Sequence, residues 1–297
     1  MPQGLHRSAP QGLERSCSAS ARDWIRAAPP QPGIERLEAF FAGHGYDPHR
    51  HDTYAVGVTL SGVQCFDYRG ATARSRCGQA VVLYPDEVHD GRAGTEAGFR
   101  YRMTYIEPRL LVEALGGPSR PLPFAGGPVS DDARLLAAIT PALQDLDVAL
   151  EDLQRDQIVS ELAQALAALD RSGRRAPIDA VCSRAVLRAR EFLDAHCEHA
   201  VRSEQLEAVS GLSRFALARQ FRASLGTSPY RYVVLRRLDR ARRLIGEGTS
   251  LAEAAAASGF ADQSHMTRQF KRAYGVSPGR WRTMIQTHAL GWHDALA

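Results

Sequence analysis

Lysine is almost missing: Lys271 is the one lysine among 37 basic residues, and all the others are arginine. That bias suits a GC-rich genome and carries no functional message. Long apolar runs are also absent. None approaches the roughly 18 residues that a spanning helix needs, so membrane-spanning classes are set aside. The opening stretch MPQGLHRSAPQGLERSCSAS lacks the apolar segment of a secretory signal. Cysteines are few, odd in number and scattered (Cys17, Cys65, Cys77, Cys182 and Cys197), with no CxxC spacing. That excludes a disulfide framework or a zinc ribbon and favours a reducing, cytoplasmic setting.

What is present is enough apolar residue for two ordinary cores: 297 residues, 44% hydrophobic and 24% charged. The net charge of +4 is unevenly spread. Residues 180–288 hold 18 Lys/Arg against 9 Asp/Glu, a net of +9, which leaves 19 against 24 elsewhere. A basic module joined to an acidic one suits a polyanion-binding domain attached to something else.

Along the chain, residues 1–33 read as a disordered tail ending in APPQPG. Residues 34–125 read as one unit, strand-like over about 34–108: YAVGVTLSG, VQCFDYRG and QAVVLYP are short β-rich runs broken by Gly and Pro. In FRYRMTYIEP, Phe99, Tyr101, Met103 and Tyr105 alternate with polar residues at the period of a half-buried strand. Short strands without intervening helices predict a small β-barrel or jelly roll. Over 126–170 the period becomes helical, with Leu153, Ile158, Leu162, Leu166 and Leu169 on one stripe that packs on the barrel or on a second subunit. RSGRRAP then marks a linker at 171–180, followed by a helical module over 181–288. The fold class expected is α+β in two domains.

That last module repeats itself. RQFRASLGTSP at 219–229 returns as RQFKRAYGVSP at 268–278, with Arg, Gln, Phe, Gly, Ser and Pro in step. Each copy closes a pattern of short helix, Gly (Gly211 or Gly259), turn, and amphipathic helix ending at Gly226 or Gly275. Those last glycines suit the left-handed position after a helix, and the Ser-Pro pairs that follow restart the chain. Leu217 and Phe221, like Met266 and Phe270, lie four apart and face inward. This is helix-turn-helix architecture in duplicate. The outward side offers Arg214, Phe215, Ala218, Arg219 and Arg222 in the first copy. In the second it offers Gln263, Ser264, His265, Thr267 and Arg268, with Lys271 and Arg272 beyond. Arg can fork onto guanine and Gln can bridge adenine in the major groove, whereas basic residues near helix ends suit phosphates. A single helix from Pro229 to Gly246, about 27 Å long at 1.5 Å per residue, would set the reading helices near one DNA turn, about 34 Å, apart.

Residues of about 184–287, and GFADQSHMTRQFKRAYGVSPGRWR above all, resemble the DNA-binding domain of AraC/XylS-type bacterial transcription regulators. The resemblance implies base contacts by Phe215, Ala218 and Arg219, then by Ser264, His265 and Arg268. Ala218 departs from a hydrogen-bonding pattern and can offer only a methyl contact to thymine. YDPHRHDTYAVGVTLSG and CGQAVVLYPDEVHDG resemble the cupin-like sensor domain of the same family. That likeness implies a small-molecule effector near His49, His51, Tyr54, Tyr84, His89 and Tyr101. In cupins an HxH pair and a later His can hold a metal, and His49, His51 and His89 match those positions. The Glu that usually follows the HxH is absent, so no metal and no other cofactor is expected.

The reading is therefore a non-enzymatic regulator. Double-stranded DNA, a small-molecule effector and RNA polymerase are its expected partners, with a homodimer as a further option. A metal-dependent cupin isomerase or dioxygenase with a DNA-binding tail is the enzymatic alternative. A constitutive DNA binder whose barrel only dimerises is the third. Activation and repression are not separable from the sequence.

Overall fold

The computed structural model describes residues 23–117, 122–170 and 180–291. Its strands are β1 (Trp24–Ala27), β2 (Ile34–Phe41), β3 (His44–His49), β4 (Tyr54–Tyr68), β5 (Ala71–Arg76), β6 (Ala80–Leu83), β7 (His89–Ala93), β8 (Phe99–Ile106) and β9 (Val129–Ser130). The helices are α1 (Pro108–Ala114), α2 (Ala133–Leu143), α3 (Asp152–Leu169), α4 (Ala180–His196), α5 (Ser203–Ser210), α6 (Arg214–Leu225), α7 (Pro229–Gly246), α8 (Leu251–Ala257), α9 (Gln263–Tyr274) and α10 (Pro278–Gly291).

β4 organises the sheet. Its first half pairs with β6 and β8 in the order β1-β2-β8-β4-β6-β9, and its second half pairs with β5 and β7, with β3 beyond β7. The change occurs at a register shift between Thr59 and Ser61, where an irregularity lets a strand bend from one layer into the other. The strand texture over 54–106 appears as expected, but the sheet folds over itself rather than closing into a ring.

Two expectations need correction. Residues 24–27, expected within a loose tail, form β1 and pair antiparallel with β2, Trp24 opposite Phe40; the remainder of that tail, 1–22, lies outside the described residues, as does 171–179 of the linker. Leu153, expected on the apolar stripe, is 85% exposed at the start of α3. Of the rest of that stripe, Ile158, Leu162 and Leu166 are buried in the same core as the sheet and Leu169 packs against it half-buried, so α3 packs within its own chain. Arg36, itself buried, secures the helices by donating to the carbonyl of Ala142 in the last turn of α2 and to those of Asp145 and Val148 beyond it. A guanidinium there satisfies carbonyls that the helix leaves open.

α7 is one continuous helix, capped by the Ser228 hydroxyl, which accepts from the Arg231 amide, with Pro229 in its first turn. It bridges two cores. Tyr232 and Val233 join Leu193, Leu217 and Phe221 in a core private to the first helix-turn-helix unit. Val234, Leu235 and Leu238, together with Met266 and Phe270 of the second unit, belong to the core of the sheet. The second unit is thus fused to the sensor, while the first keeps an interior of its own.

Candidate DNA interface and interdomain cavity

The two units are built alike. In each, an N-cap side chain, Ser213 or Asp262, accepts from an amide of the first turn, and a left-handed glycine, Gly226 or Gly275, ends the helix. On the outward faces of α6 and α9, Phe215 is 74% exposed, and Arg219, Gln263, Ser264 and Arg268 are exposed. Ala218, His265 and Thr267 are half-buried. The His265 ring stands edge-on to Phe260, with centroids 5.5 Å apart.

Several of the expected DNA-facing cations are engaged elsewhere. Arg214 pairs with Glu204 and Glu207 at 3.3 and 3.2 Å, tying α6 to α5. Lys271 Nζ lies 2.7 Å from Asp47 of the sensor. Although burial pulls the other way, Lys271 and His44 hold the Asp47 carboxyl below its ordinary range. Arg222 lies 3.2 Å from Asp86, which Arg231 and Arg50 also approach, at 3.4 and 3.5 Å.

The backbone follows the same route. The Asp47 amide donates to Gly275 O at 2.8 Å, and the Arg50 amide to Arg272 O at 3.3 Å. A Cβ on Gly275 would sit 2.6 Å from Asp47 O, and one on Gly226 would sit 2.6 Å from Pro85. The C-terminal caps of both reading helices therefore rest on two sensor segments, 46–50 and 85–86. Deeper ion pairs fasten α7 and α10. Arg236 meets Asp52 at 3.0 Å and Glu107 at 3.4 Å, Arg242 meets Glu35 through both nitrogens, and Arg280 meets Asp23 at 2.8 Å.

Between the sheet and these helices lies a cavity of about 440 Å³, within the usual range for small-molecule sites. Its sheet side carries Tyr46, His49, His51, His89, Tyr101 and Tyr105, and its helix side includes Leu235, Tyr274, Val276 and Trp281. β3 and β7 place His49 opposite His89. The His89 ring centroid lies 4.3 Å from that of His49 and 4.9 Å from that of His51. Each Nδ1 faces a backbone carbonyl: that of His49 faces Asp47 O at 3.0 Å, that of His51 Thr53 O at 2.8 Å and that of His89 Glu87 O at 3.0 Å. A carbonyl can only accept, so each Nδ1 carries the proton and each Nε2 a lone pair. Burial, with His89 as a close neighbour, lowers His51 to about 3, and burial lowers His89 to about 4; His49 also lies well below its ordinary value. All three are neutral near pH 7. Among the described residues no group of three His, Cys, Asp or Glu is placed to hold a metal ion.

Two of the expected effector residues do not reach the cavity. The Tyr54 hydroxyl donates to Pro123 O at 2.9 Å, and the Tyr84 hydroxyl accepts from the Ala125 amide at 2.8 Å. Both rings are core residues that pin the 122–125 segment. The helix-side lining was missed by sequence reasoning. Leu235, Arg236, Asp239, Arg242 and Gly246 share one face of α7 at helical spacing, a signal that was legible but was read as a spacer.

Known proteins share this arrangement. The model of the AraC-like ligand binding domain matches residues 31–180, and that of a helix-turn-helix domain matches residues 206–284. The probable transcriptional regulator LumQ of Photobacterium leiognathi is 31% identical over 96 residues, which is 32% of this chain and 39% of LumQ. The uncharacterized HTH-type transcriptional regulator YbfI of Bacillus subtilis is 24% identical over 224 residues, covering 73% of this chain and 80% of YbfI. In fold, the crystal structure of ToxT from Vibrio cholerae superposes with a TM-score of 0.61 at 10% identity, over 86% of this chain and 99% of ToxT. No helix of the described residues is long and apolar enough to cross a membrane. With the sensor model spanning half of its length and the duplicated reading helices seated on that sensor, the chain belongs to the AraC-type transcription regulators.

Proposed function

We propose that the protein is a ligand-responsive transcription regulator that reads double-stranded DNA with α6 and α9 and takes its effector into the cavity between sensor and helices. Phe215, Ala218, Arg219, Ser264, His265 and Arg268 are the base-facing residues of this reading, with Gln263 and Thr267 beside them. Arg222, Lys271 and Arg272 serve phosphates, and Arg214 braces the first unit. One observation carries the proposal: the sensor segments that hold up the ends of both reading helices also carry the cavity histidines, Asp47 beside His49 and Asp86 near His89. A molecule in the cavity that prefers one packing of these segments shifts the reading helices by its differential affinity for the two arrangements. Crystal structures of ToxT hold an unsaturated fatty acid in one case and (E)-4-(8-methylnaphthalen-1-yl)but-3-enoic acid in another, which supports a small-molecule effector for this chain.

The sensor unit in this reading spans 34–125 with Trp24–Ala27 added, the accessory helices 126–170 and the DNA-binding unit 181–288. RNA polymerase is the partner on which such a regulator acts, and the setting is the cytoplasm. Capture of genomic fragments by the purified protein tests the proposal. A discrete set of fragments should be enriched, and Arg268→Ala should weaken binding to them by about 1–3 kcal/mol while relaxing one base preference. Enrichment in proportion to fragment abundance would sink the reading.

A further inference from the structure

His51 is 6% exposed and lines the cavity, yet its Nε2 is buried without a hydrogen-bond partner. Its Nδ1 proton is committed to Thr53 O, so the unmatched atom is a lone pair that lacks a donor. A buried acceptor in that state is costly to leave unmade. His49 and His89 hold the same tautomer for the same reason, so this end of the cavity is a patch of neutral acceptors.

Charge chemistry fits the patch poorly. A carboxylate would set its own lone pairs against those of the imidazoles. The cations that could compensate are occupied or distant: Arg231 by Asp86, Arg236 by Asp52, Glu107 and Asp239, and Arg242 by both oxygens of Glu35, while Arg243 lies farther along α7 than Arg231 by about 18 Å at 1.5 Å per residue. A cationic ligand meets the opposite objection, because Arg231 already opposes positive charge at His49 and His51. A hydroxyl is left, a neutral group that donates. Leu37, Met103, Leu235, Val276 and Trp281 give the same cavity apolar walls.

We propose that the cavity binds a neutral, hydroxyl-bearing amphiphile whose hydroxyl donates to Nε2 of His51, within the His49–His51–His89 group, and whose apolar body lies along Leu37, Met103, Leu235, Val276 and Trp281. This rests on the effector reading of the cavity given above.

The test titrates the full chain with 1-dodecanol, its methyl ether and dodecanoate, reading tryptophan fluorescence and melting temperature. The alcohol should bind at least about tenfold more tightly than the ether, the worth of one well-made hydrogen bond. His51→Phe should erase that preference, so that the alcohol and the ether bind the variant within about twofold of each other. Equal binding of alcohol and ether to the wild-type protein overturns the proposal whether or not the variant folds. Tightest binding by dodecanoate overturns the ligand class and leaves the effector reading standing. Binding of none of the three overturns both.

Discussion

Lys271 Nζ lies 2.7 Å from Asp47 Oδ2, so a cation at the end of the second reading helix, proposed above to meet DNA phosphate, is held by a carboxylate of the sensor. Asp86 does the same to Arg222 of the first reading helix. If these two cations meet DNA as proposed, the sensor in this packing competes with DNA for the same charges.

Loss of either carboxylate should therefore favour DNA. We predict that Asp47→Asn and Asp86→Asn each raise the DNA affinity of the effector-free protein. The Lys271 and Arg222 side chains are 45% and 65% exposed, and pairs this exposed are worth about 0.2–1 kcal/mol. The gain is thus at most about fivefold, with a salt dependence steeper by about one ion. Fluorescence anisotropy on a labelled duplex at several salt concentrations checks it, and unchanged affinity in both variants would refute the competition.

Glycines at the helix ends offer a cleaner probe of the docking itself. Gly275 and Gly211 are both left-handed, with φ of 69° and 74°. An alanine at either position meets the same backbone penalty, about 1–2 kcal/mol. At Gly211 the added methyl meets nothing within 4 Å, whereas at Gly275 it collides with Asp47 O and Tyr46. Gly275→Ala should lower the melting temperature further than Gly211→Ala and should also raise DNA affinity, which Gly211→Ala should not. Equal melting temperatures with equal affinities would contradict the docked arrangement.

How much of this was legible in advance differs between the halves. The duplicated Gly-x-Ser-Pro phrase exposed both helix-turn-helix units because a left-handed cap and a restarted helix are local demands that sequence must satisfy by residue type. The HxH pair likewise marked out His49 and His51, and both line the cavity. The contacts between halves left no such trace. Asp47, Asp86 and Arg242 are ordinary surface residues in sequence, and their roles depend on how two separately readable units face each other. Tyr54 and Tyr84 misled because a buried tyrosine needs a partner for its hydroxyl, and here the backbone near residue 124 supplies it.

Acid should strip stability through the histidine group. His51 and His89 are depressed to about 3 and about 4 in the folded chain, against about 6.5 when unfolded. Below pH 6.5 the unfolded chain takes up protons that the folded chain cannot. Stability is therefore full above pH 6.5 and falls as pH drops toward 4, by up to about 1.4 kcal/mol per unit for each imidazole. Asp52, raised by burial, acts in the opposite sense, so the informative quantity is the difference between wild type and His51→Phe. The variant should lose less stability between pH 6.5 and 4.5 in denaturant titrations; parallel curves would count against the neutral, buried assignment.

The ion pairs that fasten α7 and α10 to the sheet, Arg236 with Asp52, Arg242 with Glu35 and Arg280 with Asp23, limit how this protein can be recombined. Grafting its front half onto the back half of a relative would strand these carboxylates wherever the relative lacks the matching arginines. Specificity can then be re-engineered by altering the outward faces of α6 and α9 in place, but not by exchanging whole modules unless the matching arginines travel with them.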